Sequence, residues 1–135
     1  MKLKSKSLCQ LKHCTECFKP IYLKFNFSFM KYDEKDFTEE HKKALFDRIV
    51  ELSTYNYQLI ASWRKKIGFE KINEKIIKKQ ISIEFAQSDR NRDDKYTIFR
   101  LYPNNNPLNS RIIGKEINKV FYILFIDIKG KLYKH

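Results

Sequence analysis

The sequence predicts an α+β fold: an antiparallel sheet of four to five strands with two or three helices packed on one face, in the order β-α-α-β-β-β-β. Three observations carry this. "IYLKFNFSFM" (21–30) alternates apolar and polar residues with the period of a strand. "DFTEEHKKALFDRIVELS" (36–53) repeats its apolar residues at helical spacing. The second half is a series of short strand-like segments ending in "VFYILFIDI" (120–128), which is apolar almost throughout.

In the first strand Ile21, Leu23, Phe25, Phe27 and Phe29 fall on one face. In the first helix Leu45, Ile49 and Leu52 form the apolar stripe, with Phe37, His41 and Ala44 beside it. Its N-terminus is capped by Asp36 with Glu39, or by Thr38 alone. Thr54 starts a second helix through "YNYQLIASWRKKIG", with Leu59, Ile60, Trp63 and Ile67 on its apolar side and Gly68 closing it. Residues 69–79 place Ile72, Ile76 and Ile77 among lysines, which suggests a short third helix.

The β half begins with "ISIEF" (81–85), followed by a charged loop at 88–95. "YTIFRLY" (96–102) and "SRIIGKEI" (110–117) are the next strands, separated by the turn cluster "PNNNPLN" (103–109). Asn118 and Lys119 then make a connection of hairpin length into 120–128. A strand apolar on both faces belongs inside a sheet that is covered on both sides. Asp127 near its end reads as a local cap of the Lys129–Gly130 turn.

The chain has 135 residues, 42% of them apolar, with eleven Phe and eight Tyr, which suffices for one core. Residues 1–19 read as a basic arm holding all three cysteines, and 20–135 as one domain. No apolar run reaches the length of a membrane span, and no apolar stretch follows the basic start as in a secretory signal. A cytoplasmic protein with reduced thiols is expected.

The net charge is +12, from 28 basic and 16 acidic residues. Such an excess points to a polyanionic partner, RNA or another polyanion and most often nucleic acid, through counterion release from phosphates. The alternative is compositional drift, because Lys, Ile and Asn are abundant and Lys far outnumbers Arg. In "CQLKHCTEC", Cys14 and Cys17 have the spacing at which two thiolates grip one zinc ion, with Cys9 or His13 as a third ligand, although adjacent His13 and Cys14 would strain to bind the same ion; a reduced arm without metal is the other reading.

The segment "IFRLYPNNNPLNSRIIGKEINKVFYILFIDIKGKLYKH" and the element order before it resemble the RelE/ParE-like toxin superfamily, over about residues 20–135. The resemblance rests on Arg100 in one strand, Arg111 in the next, the apolar 120–128 strand, and Tyr133 and His135 in a basic tail. It implies metal-independent endoribonuclease activity and an antitoxin partner. His135 would be the acid or base because imidazole titrates near neutrality, with Tyr133 assisting. Arg100, Arg111 and Lys115 would hold phosphate. Tyr96 and Tyr102 beside Arg100 would offer a stacking platform for bases. Each has a plainer reading: a solvated sheet face for Arg100, a charge-protected edge for Arg111 and Lys115, a loose end for His135, a packing residue for His41. The second function class is a non-catalytic binder of nucleic acid or nucleoprotein, such as a phage-encoded inhibitor of a bacterial defence complex of anti-CRISPR type.

Overall fold

The computed structural model describes residues 20–32, 35–63, 69–77, 83–87 and 94–132. The arm at 1–19 with its cysteines and the tail at 133–135 lie outside the described residues. The elements are β1 (Lys24–Asn26), α1 (Glu39–Thr54), α2 (Tyr57–Trp63), β2 (Glu70–Asn73), a 3-10 turn (Glu74–Ile76), α3 (Ile83–Ala86), β3 (Lys95–Arg100), β4 (Arg111–Ile117) and β5 (Val120–Asp127). The fold is α+β, as the sequence indicates. The five strands form one sheet in the order β1-β5-β4-β3-β2. β2 to β5 are antiparallel, and β1 returns to pair with β5 in parallel, so the sheet is mixed.

β5 is an internal strand, and its apolar side chains leave it in both directions. Phe121 and Ile123 pack with Leu45, Leu52 and Ile60 of α1 and α2, and with Phe99 and Ile112. Leu124 and Phe125 pack with Ile98 and Ile113 under Phe85 and Ile77. Two successive residues reach the second face because the register shifts: Ile113 opposes Phe125, Gly114 opposes Ile123, and Leu124 is the extra residue. The Leu124 carbonyl accepts the Lys31 N–H at 2.9 Å, which ties the incoming chain to the bulge.

α1 begins at Thr38, whose hydroxyl accepts the His41 N–H at 3.5 Å, and Glu39 and Glu40 lie at the positive end of its dipole. Between β4 and β5, Asn118 and Lys119 both have positive φ, 55° and 65°, as the expected two-residue hairpin requires. Asp127 accepts the N–H groups of Lys131 at 3.2 Å and Leu132 at 3.0 Å, so it caps the turn after β5.

Three elements differ from expectation. The first strand stops at Asn26, because the Asn26 side chain accepts the Ser28 N–H at 2.9 Å and turns the chain. The turn carries Phe29 to the opposite face from Phe25: Phe25 meets Phe121 at 5.8 Å, and Phe29 meets Phe85 at 5.2 Å. Within 69–79, the expected helix is replaced by β2, where Ile72 pairs with Tyr96. β2 takes the place beside β3. The last residues of "ISIEF" form α3, one helical turn that inserts Phe85 between Phe29 and Tyr122. A short apolar run serves either geometry, and burial of Phe85 on this face goes with the helical one.

Gly114 is where β4 and β5 approach too closely for a side chain. A Cβ there would collide with the Tyr122 carbonyl oxygen, a backbone atom that cannot swing aside. Gly114→Ala is expected to lower the unfolding free energy by about 3 kcal/mol, the upper end for overpacking, as read from urea denaturation.

Candidate nucleic-acid interface

With both sheet faces dry, polar side chains collect at the sheet ends. At one end β3 finishes on Arg100 and β4 starts on Arg111, joined by the 101–110 loop. Arg100 stands opposite Arg111 in register, and Arg111 stands opposite Asp127 of β5. The three form a row across neighbouring strands on one face.

The loop is closed by the Leu101 N–H donating to the Ser110 carbonyl at 3.0 Å. The Ser110 hydroxyl donates to the Ile128 carbonyl in a short bond. Arg111 holds the loop from beneath: its Nη1 donates to Asn105 Oδ1 at 3.0 Å and to the Asn109 carbonyl at 2.9 Å. Arg100 Nη1 donates to the Pro103 carbonyl at 2.9 Å. Arg48, buried on α1, donates Nε to the Arg100 carbonyl at 2.8 Å and pairs with Glu51 at 2.7 Å. Arg48 therefore has its own carboxylate. Arg100 and Arg111 have none among the described residues, and the Nε atoms of both are buried without a hydrogen-bond partner there. The nearest acid in the row, Asp127, is engaged by two backbone N–H groups.

Two sequence-predicted binding residues are placed elsewhere. Lys115 is fully buried at 0% exposure, with Nζ 2.7 Å from Glu74 Oε2 and 5.4 Å from the centre of the Tyr96 ring. It is an interior charge, not a phosphate ligand, because Ile77 and Phe85 cover its face of the sheet. Tyr96 is 2% exposed for the same reason, so it offers no stacking platform. Tyr102 is half-buried, and its hydroxyl is 2.8 Å from His41 Nδ1. This joins α1 to the loop after β3 and gives His41 a packing role. Tyr133 and His135, the acid–base candidates, and Cys9, Cys14 and Cys17, the zinc candidates, lie outside the described residues. Among the described residues no cluster of three or more His, Cys, Asp and Glu is arranged to hold a metal ion, and no helix is long and apolar enough to cross a membrane.

Sequence reasoning missed Arg48, Asn105 and Asn109. Arg48 carried a signal: it sits between Leu45 and Leu52 on the apolar stripe of α1, where a cation is out of place without a partner.

The opposite sheet end holds a second polar network. Glu116 accepts the Tyr57 hydroxyl at 2.9 Å and the Lys119 N–H at 3.0 Å, and Lys71 lies 3.9 Å away. Burial, then the hydrogen bond to Glu116 and its charge, push the Tyr57 phenol from 10.0 up to about 12. Tyr96 and Tyr102 are also raised, chiefly by burial.

No protein-family model, curated protein or solved structure matches the chain.

Two predictions follow from these interior groups. Glu74→Ala takes the Glu74 carboxylate from the buried Lys115 ammonium and is expected to cost about 3 kcal/mol, whereas Lys115→Met costs distinctly less because it removes the buried charge itself. Urea denaturation of the two variants gives the order. In alkali the unfolded chain ionises its Tyr57 phenol from pH 10.0 while the folded chain holds the proton to about 12, so stability is whole below pH 10.0 and lost as pH rises toward 12. Tyr57→Phe is expected to make that fall in melting temperature shallower.

Proposed function

We propose that this chain is a small basic RNA-binding protein that grips the phosphate backbone at the end of its sheet where Arg100 and Arg111 stand side by side. The observation that carries the reading is this like-charged pair. Two guanidinium groups opposite each other in register repel, and neither has a carboxylate among the described residues. A phosphate seated against Arg100, which is only partly buried, would offset the repulsion between the two groups. The net charge of +12 adds the long-range attraction that a polyanion needs.

Cleavage of the bound RNA is a further step. The toxin resemblance assigns it to His135 and Tyr133, with transition-state charge held by the arginines. An antitoxin or other nucleoprotein partner would cover the same basic end. RNA binding is the part that the described residues support, and it stands without catalysis.

Fluorescence anisotropy with a labelled RNA oligomer tests the reading. Binding should weaken steeply between about 50 and 200 mM salt. Arg100→Ala should lower affinity about tenfold and reduce the salt slope by about one, while Lys115→Met leaves both unchanged. Absence of RNA binding by the intact chain at low salt would sink the proposal. RNA cleavage that disappears on deleting Tyr133–His135 would add the nuclease activity.

A further inference from the structure

A cavity of about 260 Å³ opens at the end of β5, between the turn that follows it and the segment leading into α1. Its apolar walls are Ile126, Ile128 and Leu132. Asp36, Asp127, Lys129 and Lys131 complete the lining, and both Asp127 oxygens accept backbone N–H groups, from Lys131 and Leu132. The ammonium of Lys129 is 3.5 Å from Asp36, a half-exposed pair. The size lies just below the range of about 300–1,000 Å³ for sites of drug-sized ligands, so the cavity suits a single ring system.

The lining restricts what enters. Two carboxylates disfavour an anion inside. Apolar walls favour a flat neutral ring. The two lysines draw an anion that remains outside. The ligand therefore has a neutral ring joined to an external anionic group.

Position adds the second half of the argument. Asp127 lines the cavity and is the register neighbour of Arg111, which is the neighbour of Arg100. Adjacent strands are about 4.8 Å apart, so a chain leaving the cavity passes within about 10 Å of Arg100, the more exposed of the two arginines. A ring in the cavity and a phosphate on the arginine row are two parts of one nucleotide strand.

We propose that this cavity is a pocket for one unstacked nucleobase, and that the RNA the chain takes is single-stranded. The inference rests on the RNA-binding reading and adds its substrate class. In a duplex the bases are stacked and paired, and none reaches the cavity without being flipped out.

The test compares three RNAs by anisotropy at fixed salt: a single strand, the same length with abasic sites, and a duplex. The base-bearing single strand should bind about tenfold more tightly than the abasic one, the difference that one base held on protein surface supplies. Leu132→Trp, which fills the cavity, should abolish that difference and leave abasic RNA binding unchanged. A second measurement needs no variant: AMP, CMP, GMP and UMP titrated at millimolar concentration should shift the methyl NMR signals of Ile126, Ile128 and Leu132. Equal affinity for base-bearing and abasic strands, or tighter binding of the duplex, overturns the pocket while leaving RNA binding in place. No affinity for any RNA overturns the RNA-binding reading instead. Methyl signals that stay put with all four mononucleotides overturn the pocket in either case.

Discussion

Along β5 the side chains of Phe121 and Ile123 go to one side of the sheet and those of Leu124 and Phe125 to the other, and all four are removed from water. Neither side tolerates exposure, since each buried aliphatic or aromatic side chain contributes about 2 kcal/mol. α1 and α2 cover the first face. Among the described residues the second is covered by a patchwork: Phe29 after the Asn26 turn, Ile77 after the 3-10 turn, and Phe85 on the single turn of α3. The bulge at Leu124 belongs to the same solution. It gives the second face an additional apolar side chain and turns a carbonyl outward for the Lys31 N–H.

A sheet sealed on both faces sorts its polar groups. Several that remain inside carry partners with them: Lys115 with Glu74, Arg48 with Glu51, Glu116 with Tyr57 and the Lys119 backbone. Others lie at the strand ends and loops. Among the described residues, the end bearing Arg100, Arg111 and Asp127 has the two buried arginine Nε atoms without partners and a cavity beside Asp127. Lys115 lies on the same strand face as Arg111, four residues further along β4, and both are interior residues, Arg111 at 4% exposure and Lys115 at 0%.

Much of this was legible in the residues. The α1 stripe, the two-residue hairpin at Asn118–Lys119, the doubly apolar β5 and the capping role of Asp127 follow from local pattern, and local pattern is what a single sequence carries. The segments that escaped are those whose conformation depends on distant partners. β2 is a strand that pairs with β3 at Tyr96, and α3 is a helical turn that buries Phe85. Tyr96 and Lys115 read as surface residues because alternation on β3 and β4 assigns a face without saying whether the face is covered. The arginine pair was visible as two residues, but not as neighbours without a carboxylate, since that depends on register and on Asp127 being spent on the turn.

This distinction bears on the meaning of the charge. Drift toward lysine adds cations where they cost little, at solvated positions on helices and loops. It gives no reason for two arginines to face each other across a strand pair with their Nε atoms buried, an arrangement in which repulsion and desolvation add. Such a pair lowers the stability of the free chain. Arg111 recovers part of the cost by holding Asn105 and the Asn109 carbonyl, which orders the 101–110 loop. Arg100 gains a single carbonyl bond to Pro103. In the proposed reading, an anion seated against Arg100 would offset part of that cost, which composition alone does not address.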